Sequence, residues 1–205
     1  MDRLDHQLQF AAEAGRLKGV LRQTVLTDPP RRENSAEHSW HLAVMALALA
    51  EHAPPGTDMT TVVAMLVLHD LVEVDAGDLS VYADQAAQDR QEAAEHAAAD
   101  RIFALLPGDQ ASVLRGLWDQ FEERATPEAR FACALDRLQP MLENVASGGG
   151  TWQAQEVTAD KVMDKVQLIE DGSRTLGRYA RTLVERAVAD GILAPAPGET
   201  GGAAP

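Results

Sequence analysis

The sequence predicts an all-α protein, a single helical bundle of about six to seven helices. Three observations predict it. Proline and glycine gather near 29–30, 54–56, 107–108, 148–150 and beyond 195, with long stretches between that are free of both. Within those stretches apolar residues recur every three or four positions, the period of one helix face. Aliphatic residues and alanine dominate, while aromatics make up only 4% of the 205 residues, so the core is aliphatic and helix-compatible. The length suffices for one domain with a sizeable core.

The elements follow in order. Leu4, Leu8, Ala11, Ala12, Leu17 and Leu21 fit a helical period and predict a first helix over 3–22. Pro29-Pro30 ends any continuation, because proline lacks an N–H and restrains the residue before it. A loop is expected through Ser35, then a second helix over 36–52 with Leu42, Met45, Ala46 and Leu49 on one stripe. Pro54-Pro55-Gly56 closes it. Thr57 or Asp58 can cap a third helix over 59–73. Met59, Val62, Val63, Leu66 and Val67 make that helix apolar nearly all round, which predicts a buried central position. Residues 74–83 read as a loop and 84–106 as a charged helix. Pro107-Gly108 separates the latter from a helix over 109–123. Thr126-Pro127-Glu128 is a start signal with proline at the first helical position. The helix from 127 carries Phe131, Leu135, Leu138, Leu142 and Val145 and stops at Gly148-Gly149-Gly150. A last long helix, 159–190, is expected to be interrupted near Gly172. One domain over 1–192 and a disordered tail over 193–205, Gly/Ala/Pro-rich from Pro195, complete the reading.

The net charge of −14 argues against a nucleic-acid duplex or an anionic membrane surface as partner, since both require basic patches. Cys133 is the single cysteine, so no intramolecular disulfide can form, and a reducing cytoplasm is the expected setting. No basic-then-apolar leader and no uninterrupted apolar run of the ~18 residues that a membrane span requires is seen.

The chemistry concentrates in Leu68-His69-Asp70-Leu71-Val72-Glu73-Val74-Asp75-Ala76-Gly77-Asp78, at the end of the most apolar helix. A buried carboxylate is costly without a partner, and a metal ion is one such partner. Upstream, His38 lies in Glu33-Asn34-Ser35-Ala36-Glu37-His38-Ser39. Downstream, Asp136 stands beside the apolar stripe of a helix, a poor place for aspartate. His38, His69, Asp70 and Asp136 form a candidate ligand set from three helices. Two imidazoles and two carboxylates suit one divalent transition metal ion: Mn, Co, Fe, Ni or Zn.

These residues, in this order, resemble the H…HD…D signature of the HD-domain phosphohydrolases. The flanks of His38 and of His69-Asp70, with Arg16-Leu17-Lys18 and Arg22, are similar to the 5′-deoxynucleotidase branch, over about residues 8–145. The resemblance implies a metal-dependent phosphoric monoester hydrolase that converts (deoxy)nucleoside 5′-monophosphates to nucleoside and phosphate. It assigns the metal to His38, His69, Asp70 and Asp136, and acid–base work at the attacking water or the leaving alkoxide to Glu73. Asp78 would be a second carboxylate beside the leaving nucleoside. Arg22, with Arg31 as a second candidate, would bind the phosphate. Gln23 departs from the branch, whose characterised bacterial member has a sugar-packing tryptophan there, which makes Gln23 the position where ribose and deoxyribose would be distinguished. The resemblance also implies a homodimer. His41 is expected at the edge of the site, His6, His52 and His96 away from the metal, and the acidic helix at 84–101 as a solvated face or lid. Competing readings are an HD-fold hydrolase of another phosphorylated metabolite or a nucleoside triphosphate, a di-iron oxygenase, and a nucleotide-binding module without turnover.

Overall fold

The computed structural model describes residues 2–27 and 30–198. The chain folds as α1 (Arg3–Ala14), β1 (Leu21–Leu26), β2 (Arg31–Asn34), α2 (Ser35–Ala48), α3 (Met59–Leu68), α4 (Glu73–Ala76), α5 (Gln85–Phe103), α6 (Gly108–Glu123), α7 (Pro127–Ala146), α8 (Gly150–Ala154), α9 (Ala159–Gly172) and α10 (Arg174–Ala189). The bundle is organised around α7, which packs on α2, α3, α6, α9 and α10. Phe131, Ala132, Ala134 and Leu135 are wholly buried there, and Asp136 and Gln139 are buried among them. Two polar side chains inside an apolar layer must be satisfied, so α7 carries the site as well as the core.

α9 approaches α7 closely at Gly172. A Cβ there would lie 2.1 Å from the Arg130 carbonyl oxygen, so only glycine fits. The same residue ends α9, and Ser173 caps α10 by accepting from the Leu176 N–H. This is the interruption that the sequence predicts in 159–190.

Four expectations are corrected. The first helix stops at Ala14 rather than 22. A 3₁₀ turn over Gly15–Gly19 follows, and Leu21–Leu26 pairs antiparallel with Arg31–Asn34 (Leu21 opposite Asn34, Leu26 opposite Arg31). The fold is therefore mostly rather than purely helical. Glycine at 15 and 19 weakens the helix, and β-branched Val20, Thr24 and Val25 favour extended backbone. Second, ten α-helical segments stand among the described residues instead of six or seven, because 159–190 is two helices and α4 and α8 are single turns. Third, the expected helix over 59–73 tightens to 3₁₀ at His69–Val72 before α4. Fourth, the tail does not begin at 193. Leu193 is buried and the Ala194 carbonyl accepts from the Ala159 N–H, while residues 199–205 lie outside the described residues, as do Asp28 and Pro29. No helix among the described residues is long and apolar enough to cross a membrane.

Candidate metal centre

α2 begins with a capping box. Asn34 accepts from the Glu37 N–H and Glu37 accepts from the Asn34 N–H, which turns Ser35, His38 and Ser39 inward. The His38 ring is fully buried. Its Nδ1–H donates to Gln139 Oε1 at 3.1 Å, and its Nε2 lies 3.0 Å from Asp136 Oδ1. His69 repeats the pattern at the 3₁₀ turn. Nδ1–H donates to the Leu66 carbonyl at 2.9 Å, and Nε2 lies 2.9 Å from Asp70 Oδ1 and 3.6 Å from Asp136 Oδ1. The Trp118 indole N–H donates to the His69 carbonyl at 3.1 Å and holds the turn. In both rings the outer nitrogen is committed to a carbonyl, so the lone pair resides on Nε2.

Ligand atoms of His38, His69 and Asp136 all lie within 4.8 Å of one another, a group that can hold a metal ion. Two observations support the fit. His69 Nε2 is buried and makes no hydrogen bond, despite two carboxylate oxygens nearby. Bonds of about 2.1 Å to one ion place adjacent ligand atoms about 3 Å apart, the spacing that the His38–Asp136 and His69–Asp70 pairs show. Asp70 thus sits at the edge of the group, its other oxygen accepting from Arg22 Nη1 at 2.7 Å.

Pro140, inside α7, has no N–H to give the Asp136 carbonyl four residues earlier, so the helix ladder is open beside the site. The Asp136 carboxyl is held well below the usual carboxylate range. Burial opposes this, but the charge of Arg137 and the two imidazole rings close beside it, His38 and His69, outweigh it.

Glu73 and Asp78 stand on the other wall. Gly77 adopts φ +74°, which turns the chain after α4 and brings Asp78 back beside Glu73. The Ser35 hydroxyl donates to Glu73 Oε2 at 2.5 Å, and the Gln23 N–H donates to Asp78 Oδ2 at 2.9 Å. Burial, then the charge of Asp70, pushes the Glu73 carboxyl well above its ordinary value, with Arg22 opposing. Burial raises Asp78 as well. Arg22 Nη1 is 3.8 Å from Asp78 and 4.0 Å from Glu73, and its Nε is 3.6 Å from Glu33.

Arg22, His69, Asp70, Glu73, Asp78 and Asp136 line a cavity of about 400 Å³ that also reaches Gln91, Glu95, Trp118 and Glu122. Burial, then Glu122 and Asp70, lifts the Glu95 carboxyl to about 7. A smaller chamber of about 60 Å³ adjoins it, lined by Gln23, Val81, Tyr82, Met141 and Trp152 among others. The acidic α5 therefore contributes wall residues rather than a wholly solvated face.

Of the residues singled out from sequence, His38, His69, Asp70, Asp136, Glu73, Asp78 and Arg22 converge. Gln23 lines the smaller chamber. Arg31 is not brought to the site. It lines neither cavity, and its guanidinium forms a two-pronged pair with Glu37 at 2.7 and 2.8 Å, on the outside of the hairpin. His41 accepts from Gln139 at its Nδ1 and stays at the margin. Sequence reasoning missed Gln139, three residues after Asp136 on the same helix face. It also missed Arg137 and Lys165, which line both chambers, because a lone basic residue on a helix reads as solvent-facing.

The HD-domain family model matches residues 14–176, and the chain belongs to that family. It is 30% identical over 137 residues to the 5′-deoxynucleotidase HDDC2 of Homo sapiens, covering 66% of this chain and 65% of that protein. The match therefore spans somewhat less than two thirds of the human relative. The protein of that name from Xenopus laevis is also 30% identical, over 66% of each chain. Among solved structures, a predicted metal-dependent phosphohydrolase from Magnetospirillum magnetotacticum MS-1 is 51% identical, with a TM-score of 0.89 over 94% of this chain and 99% of that one. An HD-domain phosphohydrolase from Listeria innocua, 17% identical over 89% of this chain and 85% of that one with a TM-score of 0.58, shares the fold.

Proposed function

We propose that the chain is a metal-dependent phosphomonoesterase that hydrolyses nucleoside 5′-monophosphates to nucleoside and phosphate. The observation that carries this reading is the convergence of lone pairs from His38, His69 and Asp136 at a cavity that His69 and Asp136 line together with two carboxyls of raised proton affinity, Glu73 and Asp78. His38, His69, Asp70 and Asp136 would hold one divalent ion, which supplies Lewis-acid charge and lowers the pKa of a water. Nitrogen and oxygen donors of this kind accept Mn, Co, Fe, Ni and Zn alike.

Glu73 is the acid–base group. Burial raises its proton affinity above that of an ordinary glutamate, which suits removal of a proton from water or delivery of one to the leaving alkoxide. Asp78 faces the leaving group, fixed by the Gln23 N–H. Arg22, surrounded by Asp70, Glu73, Asp78 and Glu33, holds those carboxylates in place. The larger cavity falls within the size range of about 300–1,000 Å³ typical of small-molecule sites. The adjoining chamber, with Tyr82, Met141 and Trp152, offers apolar surface to a nucleoside, and Gln23 stands where the sugar would enter.

The nucleotide substrate is also supported by the names of the HDDC2 relatives. Phosphate release from a panel of ribo- and deoxynucleoside monophosphates, with Mn²⁺ or Co²⁺, tests it. Release from nucleotides supports the reading, and release only from other phosphate esters or from triphosphates moves the protein to another substrate class. The proposal includes a cytoplasmic setting, on the single cysteine, and a homodimer. The dimer is supported by Trp40, Val44 and Leu47, one stripe of α2 that is 68%, 43% and 69% exposed. Light scattering on the purified protein tests it.

A further inference from the structure

The cavity wall contains cations that the carboxylates do not neutralise. Arg22, the cation nearest the candidate ligands, is already engaged: four carboxylates lie within 4.0 Å of it. Arg137 differs. Its single carboxylate neighbour within 4.0 Å among the described residues is Asp136, at 3.4 Å, while its Nε, like that of Arg22, is buried with no hydrogen-bond partner. Lys165, reaching in from α9, forms no ion pair or hydrogen bond among the described residues. Burial, then Arg137 and Arg124, pushes its proton affinity down. Arg137 and Lys165 line both chambers and so stand where the two meet. Two cations facing one cavity repel each other, and an unsatisfied buried guanidinium nitrogen costs free energy. An anion between them relieves both. In a chain of net charge −14, two cations on one cavity wall with a single close carboxylate between them favour an anionic ligand.

We propose that Arg137 and Lys165 form the phosphoryl-binding wall of the site, gripping the non-bridging oxygens of the substrate's phosphate by charge-assisted hydrogen bonds, while Arg22 serves the carboxylates. The inference rests on the phosphomonoesterase reading for its substrate, although inorganic phosphate probes the wall directly. It also orients the substrate. With the phosphate at the junction of the chambers, the leaving group extends past Asp78 into the chamber lined by Tyr82 and Trp152.

The test is calorimetric titration of Mn²⁺-loaded protein with inorganic phosphate, in wild type, Lys165→Ala, Lys165→Arg and Arg137→Gln. Metal affinity by chelator competition and KM for a nucleoside monophosphate are measured alongside. Loss of one charge-assisted contact is expected to weaken phosphate binding about tenfold or more. KM should rise in parallel, Lys165→Arg should restore most of the affinity, and Lys165→Ala should leave metal affinity unchanged. Unchanged phosphate affinity in both Lys165→Ala and Arg137→Gln overturns the proposal. So does an effect confined to Arg137→Gln and matched by metal loss, since Arg137 would then merely hold Asp136. No phosphate binding by wild type also overturns it. Phosphate binding that depends on Lys165 in a protein that turns over no nucleotide would sustain the anion wall and refute the proposed function.

Discussion

Gln139 donates to Glu33 through its amide and accepts from His38 Nδ1 through its oxygen, at 3.1 Å in both cases, so one buried amide on α7 sets the ring of a histidine on α2. Without it, the nearest carboxylate oxygen to Nδ1 is Glu33 Oε2 at 3.6 Å, too far to fix the ring, which is then freer to present either nitrogen to Asp136. Gln139→Leu is therefore expected to weaken metal binding by about 10–100-fold, the usual cost of losing such a supporting contact. Chelator competition measures it. Gln139→Glu keeps an acceptor at the same place and should retain more affinity than Gln139→Leu.

Glu73→Gln separates chemistry from binding. The amide keeps the shape of the side chain and the contact with Ser35, but cannot take up a proton. A kcat lower by about 10²–10⁴-fold is expected, with metal content close to that of wild type. Because burial and Asp70 raise the Glu73 carboxyl, the acid limb of the wild-type pH profile should lie above the ordinary glutamate range. Full activity in Glu73→Gln would remove this residue from the chemistry.

Glu95 links stability to pH. Its carboxyl titrates at about 7 in the folded chain, against an ordinary 4.5. The folded state thus holds the proton more tightly than the unfolded state, and stability falls as pH rises from the lower value to the higher. Above that window the full cost is present, a ceiling of about 3–4 kcal/mol that solvent screening lowers. Glu95→Gln should raise the melting temperature at about pH 8 and much less at about pH 5. An equal gain at both pH values would contradict the raised carboxyl.

Arg31 supplies a negative prediction. Its guanidinium is half exposed and paired with Glu37, and such surface pairs contribute little. Arg31→Ala should leave KM, kcat and inorganic phosphate affinity unchanged. A loss of phosphate affinity would mean that the hairpin folds over the cavity during binding.

What could be read from the sequence follows from what is unusual in it. His69, Asp70 and Asp136 are ionisable groups inside apolar stripes, a conflict that needs a partner, and the structure does bring them together with His38. The caps and breakers at Asp58, Pro107, Thr126 and Gly172 placed most helix ends, because each acts locally. The hairpin was hidden because Leu17 and Leu21 fit a helical period as well as an extended strand, and only pairing with residues 31–34 decides between them. The direction of that hairpin also decides that Arg22 points inward and Arg31 outward. Arg137, Gln139 and Lys165 were silent because their role depends on how α7 and α9 pack, which no local pattern encodes.

The most direct test is phosphate release from a nucleoside 5′-monophosphate as metal-free protein is titrated with Mn²⁺, in wild type and Asp136→Asn. Release that rises with metal, saturates near one ion per chain and is abolished in Asp136→Asn is the predicted result. Release indifferent to metal and to Asp136, or none from any ribo- or deoxynucleotide by the metal-loaded wild type, would contradict it.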